Sequence, residues 1–140
     1  MRVTLFKSRP PAQGLRLLPA AQKRFKGGGM TVLVKVFTQA KQAESSQTTQ
    51  YTAVNCRAII DKFTATNTSA SNVTFSVNLV ANAETAVTGN LIVQAKTIPP
   101  GKTYTLTEVI GHSLEPGGFI STLASAASSI TIRISGREIT

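Results

Sequence analysis

Reactive and metal-binding side chains are scarce in this sequence. It has one cysteine (Cys56), one histidine (His112) and no tryptophan among its 140 residues. A single cysteine excludes an internal disulfide framework and a CxxC metal site, since each needs at least two thiols. One histidine and one cysteine are too few for a zinc site within one chain. We therefore predict no metal and no cofactor, and we interpret Cys56 as a small apolar residue on a strand.

The lone histidine limits catalysis. His112 lies in "GHSLEPGG", with Ser113 and Glu115 close in sequence. A Ser-His-acid arrangement stays open at this level, because such groups meet in space rather than in sequence. However, the chain has no GxSxG nucleophile elbow. We predict a loop histidine, no catalytic residue and no enzyme.

Acidic side chains are few and scattered. The six acids are Glu44, Asp61, Glu84, Glu108, Glu115 and Glu138. They form no DxD or EF-hand pattern, so a calcium or magnesium site has no support. "KGGGM" (26–30) is glycine-rich but lacks the GxxxxGKS or GxxxxGKT spacing of a phosphate-binding loop. We predict no small-molecule substrate.

Long apolar runs are missing too. No stretch approaches the roughly 20 residues that span a bilayer, so we predict no membrane partner. "LRLLPAA" (15–21) is interrupted by Arg16 and Pro19 and is shorter than the apolar part of a signal peptide. We expect a soluble protein that is not exported.

Basic residues, by contrast, are abundant and concentrated at one end. The formal net charge is +9. Residues 1–30 hold no acid and seven bases, which are Arg2, Lys7, Arg9, Arg16, Lys23, Arg24 and Lys26. The remaining eight bases nearly balance the six acids. A charged tail on a nearly neutral body is typical of a docking peptide, so we predict that these seven bases bind a partner.

The same segment is broken by proline and glycine. Pro10, Pro11, Gly14, Pro19 and the glycines of 27–29 leave no room for a long helix. We predict an extended basic N-terminal arm, residues 1–30, with a flexible glycine joint. One alternative stays open around "KRFKGGGM" (23–30). Lys-Gly-Gly codons can spell a purine run of the kind that precedes a bacterial start codon, which would place the first residue at Met30.

From residue 31 the pattern becomes β. "VTFSVNLV" (73–80) places Val73, Phe75, Val77 and Leu79 on one face and Thr74, Ser76 and Asn78 on the other. "SITIRIS" (129–135) alternates in the same way, and "TVLVKVFTQ" (31–39) places Val32, Val34 and Val36 on one face. Such period-2 alternation predicts strands with one buried face. Five less regular candidates are 49–56, 57–66, 90–96, 102–109 and 117–123.

Turn residues separate these candidates, for example "IPPG" (98–101) and "LEPGG" (114–118). Eight short strands about ten residues apart, without a long helix, are typical of a two-sheet sandwich. The predicted fold is therefore all-β, an eight-stranded jelly-roll-like β-sandwich over residues 31–140 that carries the basic arm.

Nucleic acid is one conceivable partner of the arm, since seven bases could neutralise several phosphates. Against it, the arm has only Phe6 and Phe25 as stacking groups, and the body has no aromatic RNA-binding strand. We keep a basic-arm nucleic-acid-binding module as an alternative and do not expect it.

Two segments carry a family resemblance. "IIDKFTATNTSASNVTFSVNLV" (59–80) and the stretch from "NLIVQAKTIPPGKTYT" (90–105) through "LEPGGFISTLAS" (114–125) to the C-terminus resemble capsid cement (decoration) proteins of short-tailed bacteriophages. The similarity covers about residues 57–140 and defines no catalytic or binding residue.

The resemblance implies a jelly-roll protein on the exterior of an icosahedral capsid, and host cytoplasm as its location during assembly. It implies a homodimer at two-fold positions that ties neighbouring major capsid protein subunits together and so stabilises the shell. Another phage structural role, in a tail, baseplate or fibre, is the alternative.

Overall fold

The computed structural model describes residues 29–140, of which Thr31–Thr140 form one compact unit. This part of the chain contains nine strands: β1 (Val32–Gln42), β2 (Thr48–Thr52), β3 (Arg57–Asn67), β4 (Val73–Val80), β5 (Leu91–Ile98), β6 (Thr103–Thr105), β7 (Ser113–Leu114), β8 (Phe119–Ala124) and β9 (Ile130–Ile139). A 3-10 turn, Thr88–Asn90, precedes β5. The predicted arm lies outside the described residues, apart from Gly29 and Met30.

The strands form two antiparallel sheets. Sheet A has the order β1-β9-β3-β6, with the short β7 also paired to β3. Sheet B has the order β2-β8-β4-β5. Neighbouring strands are mostly distant in sequence, so the chain passes repeatedly from one sheet to the other. The prediction of an all-β protein with two packed sheets is confirmed.

All eight predicted strands are present, but the described residues contain nine strands rather than eight. The ninth strand, β7, has only two residues, too few to show an alternating pattern. The candidate at 102–109 is strand only over Thr103–Thr105. Beyond it the chain turns inward and fully buries Leu106 and Val109.

The core lies between the inner faces of the two sheets. Ile130, Ile132 and Ile134 of β9 are fully buried, as their alternation predicts. Phe63 of β3 meets Phe75 of β4 edge to face, with ring centroids 6.1 Å apart, and so joins sheet A to sheet B. Each such side chain contributes roughly 1.5–3 kcal/mol by leaving water.

Asn78 departs from its predicted place on the solvent-facing side of β4. It is buried because the segment before β5 folds over it. Its Nδ2 donates to the carbonyl oxygen of Val87 at 2.8 Å and to Oδ1 of Asn90 at 2.7 Å, and its Oδ1 accepts from Gln47. The buried amide is therefore hydrogen-bonded at both ends, as burial of a polar group requires.

The valines of β1 share one face as predicted, but that face is not buried. Val32 is 50% exposed and Val34 is 85% exposed, while Val36 is half-buried. β1 enters the core only at Phe37. Alternation in the sequence predicts which residues share a face of the strand. It does not predict whether the second sheet covers that face.

Candidate interaction surface

The residues predicted to bind a partner are not among those described. Arg2, Lys7, Arg9, Arg16, Lys23, Arg24 and Lys26 all lie outside residues 29–140. Their role stays a prediction from charge alone. The described residues offer a second candidate surface, which the sequence did not single out.

This surface is one of the two edges of sheet A, the one formed by β1. The β1 edge strand pairs with β9 on one side and has no strand partner on the other within residues 29–140. Thr31 and Thr140 exchange two backbone hydrogen bonds of 3.0 Å, so they are a hydrogen-bonded pair. Because such pairs alternate along an antiparallel ladder, the backbone groups of Val32, Val34 and Val36 point away from β9.

The side chains at this edge are apolar on both faces of the sheet. Val32 and Val34 lie on the outer face, and Leu33, which is 54% exposed, lies on the inner face near the open end of the sandwich. Natural edge strands usually carry charge, proline or a bulge that prevents pairing with another chain. Over Val32–Val34 this edge has none of these, so it is a candidate contact surface.

Irregularities confine the surface to the first half of β1. The pairing of β1 with β9 shifts between Val36 and Thr38 and again between Thr38 and Lys41. Bulges of this kind twist a strand and disrupt regular pairing. Only residues 32–36 therefore present a straight, regular edge, which we call the β1 edge.

A polar cluster supports the β1 edge from the inner side. Glu138 of β9 accepts a 2.6 Å hydrogen bond from the Tyr51 hydroxyl and an ion-pair contact of 3.1 Å from Lys35. The Tyr51 ring stacks on Phe37, with centroids 4.0 Å apart and planes at 13°. Because Tyr51 belongs to β2, the cluster joins sheet B to the edge of sheet A. Cys56 is buried beside it, with Sγ 3.9 Å from the Tyr51 hydroxyl.

The cluster shifts the pKa of two of its members in opposite directions. The hydrogen bond from Tyr51 and the contact with Lys35 lower the pKa of Glu138, because both favour its charged form. Burial, and then the hydrogen bond to Glu138, raise the pKa of Tyr51. The stable pair at neutral pH is a carboxylate with a neutral phenol.

Acid should destabilise the fold through this carboxylate. Since the pKa of Glu138 is lower in the folded chain, its contribution is complete above its ordinary value of 4.5 and is lost as pH falls through the lower folded value. Urea unfolding between pH 7 and pH 3 should show a decreasing free energy of unfolding, and Glu138→Gln should make that decrease shallower.

Glu84→Gln is the matched control for loss of one exposed carboxyl group. Glu44 and Glu108 also have lowered pKa values, through Lys41 and Lys96, so some acid dependence remains in the variant. The role of the cluster is contradicted if Glu138→Gln and the unsubstituted chain show the same acid dependence.

Ion pairs stiffen the outer face of sheet A next to the β1 edge. Arg137 of β9, the register partner of Val34, holds Asp61 through contacts of 2.8 and 2.9 Å. Arg57 holds Glu115 through two contacts of 3.0 Å. Both pairs are largely exposed, so each contributes little stability. They leave these charges paired within the chain.

Further along, the outer face of sheet A is lined by hydroxyl and amide groups. Thr66 and Thr103 are hydrogen-bonded at 2.8 Å, and Gln42 donates to Thr131 at 2.7 Å. Gln39 accepts from Arg133 at 3.1 Å. This part of the face is polar and internally bonded, in contrast to the apolar β1 edge.

The sequence left a Ser-His-acid arrangement around His112 open. In the structure these side chains make different contacts. His112 and Ser113 are exposed, and the Glu115 carboxylate is held by Arg57. Within residues 29–140 there is no group of three or more His, Cys, Asp or Glu side chains that could hold a metal ion. No helix in this range is long and apolar enough to cross a membrane.

One depression lies on the outside of sheet B. It has a volume of about 370 Å³ and is wide open, with Asn78, Val87 and Leu123 among its lining residues. The polar groups of Asn78 are already bonded within the chain. The depression therefore presents no unpartnered buried group to a ligand.

Comparison with known proteins gives no further assignment, since no family model, no curated protein and no solved structure matches this chain.

Proposed function

We propose that this chain is a structural virion protein of the capsid cement type. It binds the outer surface of an icosahedral phage head, contacts the major capsid protein, and holds neighbouring subunits together. It acts on the capsid exterior after assembly in the host cytoplasm, and it pairs with a second copy of itself.

The strand order supports the jelly-roll part of this proposal. Omitting the two-residue β7 and renumbering gives 1-8-3-6 in one sheet and 2-7-4-5 in the other. That order belongs to a jelly roll, in which two Greek keys interlock. The fold is common in viral coat proteins, so this is support by analogy of fold, and the function must be argued from the surfaces.

The observation that carries the proposal is the exposed β1 edge, whose outer face consists of valines. Val34 is 85% exposed and Val32 is 50% exposed, although fully buried side chains fill the core. A strand edge of this kind presents unpaired backbone N–H and C=O groups with which another polypeptide can pair. A protein whose task is cohesion between subunits needs such a surface.

The basic arm supplies the second contact in this proposal. Its seven bases, without a single acid in residues 1–30, favour a partner surface of negative charge. An extended segment can reach across a subunit boundary and add backbone pairing or ion pairs there. Each copy needs to contribute only modestly, because the same contact repeats over the whole shell.

Binding to isolated shells tests the proposal. The purified chain should co-sediment with shells of the phage that encodes it, and decorated shells should resist heat to a higher temperature than bare shells. A full-length variant with glutamine at all seven basic positions of the arm should bind more weakly and lose its salt dependence, because exposed charges are screened by salt.

The outcomes separate the alternatives. Equal heat resistance of bare and decorated shells contradicts a cement role. Retention on DNA with a steep salt dependence, lost in the seven-glutamine variant, indicates a nucleic-acid-binding module instead. Presence in particles at only a few copies indicates a tail, baseplate or fibre component.

A further inference from the structure

We propose that the β1 edge binds the β1 edge of a second copy, antiparallel, about a two-fold axis at Val34. The two A sheets then form one continuous sheet. This inference rests on the proposed function, in which two copies pair, and it specifies the strand through which they pair. It is tested on the purified chain without shells, so its failure and the failure of capsid binding are distinguishable.

The backbone of β1 sets the possible registers. The reciprocal hydrogen bonds between Thr31 and Thr140 direct the backbone groups of Val32, Val34 and Val36 to the free side. With the axis at Val34, Val34 opposes Val34 of the partner subunit, and Val32 opposes Val36 of the partner subunit. All three outward-facing residues are then paired, which satisfies six backbone hydrogen bonds across the axis.

The side chains are self-complementary in this register. On the outer face every cross-strand pair is valine against valine, so three residues from each copy form one apolar strip. Cross-strand pairs of β-branched residues stabilise an antiparallel ladder relative to alanine pairs. Pairing also covers Val34, which is 85% exposed in the single chain.

The inner face of the new ladder is compatible as well. Leu33 opposes Lys35 of the partner subunit, and the apolar stem of a lysine can cover a leucine while its charge stays in water. Lys35 is already paired with Glu138 at 3.1 Å in its own chain. The two lysines therefore do not bring unpaired like charges to the axis.

A second copy suits this edge better than an unrelated partner. A two-fold contact uses the same patch on both chains, and the outer-face residues Val32, Val34 and Val36 are symmetric about Val34. The patch carries no acid, and its one base is neutralised, so nothing on it selects for a charged partner. The shifts after Val36 stop the pairing from extending further.

Cysteine cross-linking tests the register. In the full-length chain, Val34→Cys places two thiols directly opposite each other across the axis, within the Cα separation that a disulfide needs. Under a mild oxidant this variant should form a covalent dimer within minutes and nearly completely. Leu33→Cys, which opposes Lys35 of the partner subunit, should cross-link at least ten-fold more slowly.

Val87→Cys is the matched control, since Val87 is 54% exposed and lies away from β1. The unsubstituted chain shows the contribution of the buried Cys56, which should be negligible. The proposal is overturned if Val87→Cys cross-links as fast as Val34→Cys. Faster cross-linking of Leu33→Cys overturns the proposed register.

The mass of the particle in solution gives an independent test. Light scattering on the full-length chain should give twice the chain mass, and Val34→Lys should give the single-chain mass, with Val87→Lys remaining a dimer. Because Val34 is exposed but lies opposite Arg137, the lysine should lower the unfolding temperature of the single chain by no more than a few degrees. A single-chain mass for the unsubstituted protein at high concentration would mean that something else occupies the edge, including residues 1–28 or another protein, and would overturn the proposal.

Discussion

Replacing Phe63 by alanine should lower the free energy of unfolding by about 3–5 kcal/mol. Phe63 is fully buried in β3 and packs edge to face on the equally buried Phe75 of β4, so it is a direct link between the two sheets. The loss has two parts: the apolar surface that no longer leaves water, and the cavity that close-packed neighbours cannot fill. Domains of this size are stable by only about 5–15 kcal/mol, so the variant should be near the limit of folding.

Urea unfolding followed by circular dichroism measures this loss. Val87→Ala, at an exposed position, is the control and should change the free energy of unfolding by less than about 0.5 kcal/mol. A loss below about 1 kcal/mol for Phe63→Ala would contradict the placement of this ring between the sheets. Phe63→Leu, which retains most of the volume, should recover more than half of the loss.

Replacing Gly136 by alanine should have an effect of similar size, about 3 kcal/mol, although it adds only one methyl group. A Cβ on Gly136 would lie 2.7 Å from the ring of Phe37 and closer still to the carbonyl oxygen of Ile59. The ring can rotate, but the backbone of β3 cannot move without breaking its pairing with β9. The substitution therefore forces apart the central strands of sheet A.

Gly89→Ala is the matched control for this substitution. At Gly89 the nearest atom to an added Cβ is a methyl of Val87 at 3.9 Å, an ordinary contact. That variant should change the unfolding temperature by no more than a few degrees, whereas Gly136→Ala should lower it by ten degrees or more. If the two variants unfold at the same temperature, the close approach of β9 to β3 is wrong.

The fold could be predicted from local patterns because its strands are strongly alternating. "SITIRIS" and "VTFSVNLV" contain β-branched and aromatic residues at every second position, and turn residues separate the strands. These features do not depend on distant parts of the chain. They were sufficient to predict an all-β, two-sheet architecture and to find all eight of the longer strands.

The features that could not be predicted from the sequence depend on contacts between residues that are far apart along the chain. Val32 and Val34 alternate like core residues, and only the position of β1 at the edge of sheet A leaves them exposed. Gly136 looks like a weak point in a strand until Phe37 and Ile59 are seen to lie against it. Asn78 looks like a solvent-facing residue until the segment before β5 covers it.

One of the two candidate contact surfaces could be predicted from the sequence and the other could not. The basic arm is visible in the charge of residues 1–30, and its seven bases stay a prediction. The β1 edge and its support could not be read from the sequence, because Tyr51 and Glu138 are 87 positions apart and Lys35 and Glu138 are 103 positions apart.

The two surfaces suggest a division of labour in the proposed cement protein. In this proposal the β1 edge joins two copies through valine side chains and backbone pairing, which salt strengthens or leaves unchanged. The arm is proposed to hold an acidic surface through charge, which salt weakens. Added salt should therefore weaken shell binding without weakening dimerisation.

The most direct test of the central claim is the number of copies in the intact particle. Quantitative mass spectrometry of purified particles, made by the genome that encodes this chain, should find it on the order of hundreds of copies and in a fixed ratio to the major capsid protein. Brief protease treatment of intact particles should remove it from the outside. Its absence from particles, or its presence at only a few copies, would contradict a cement function.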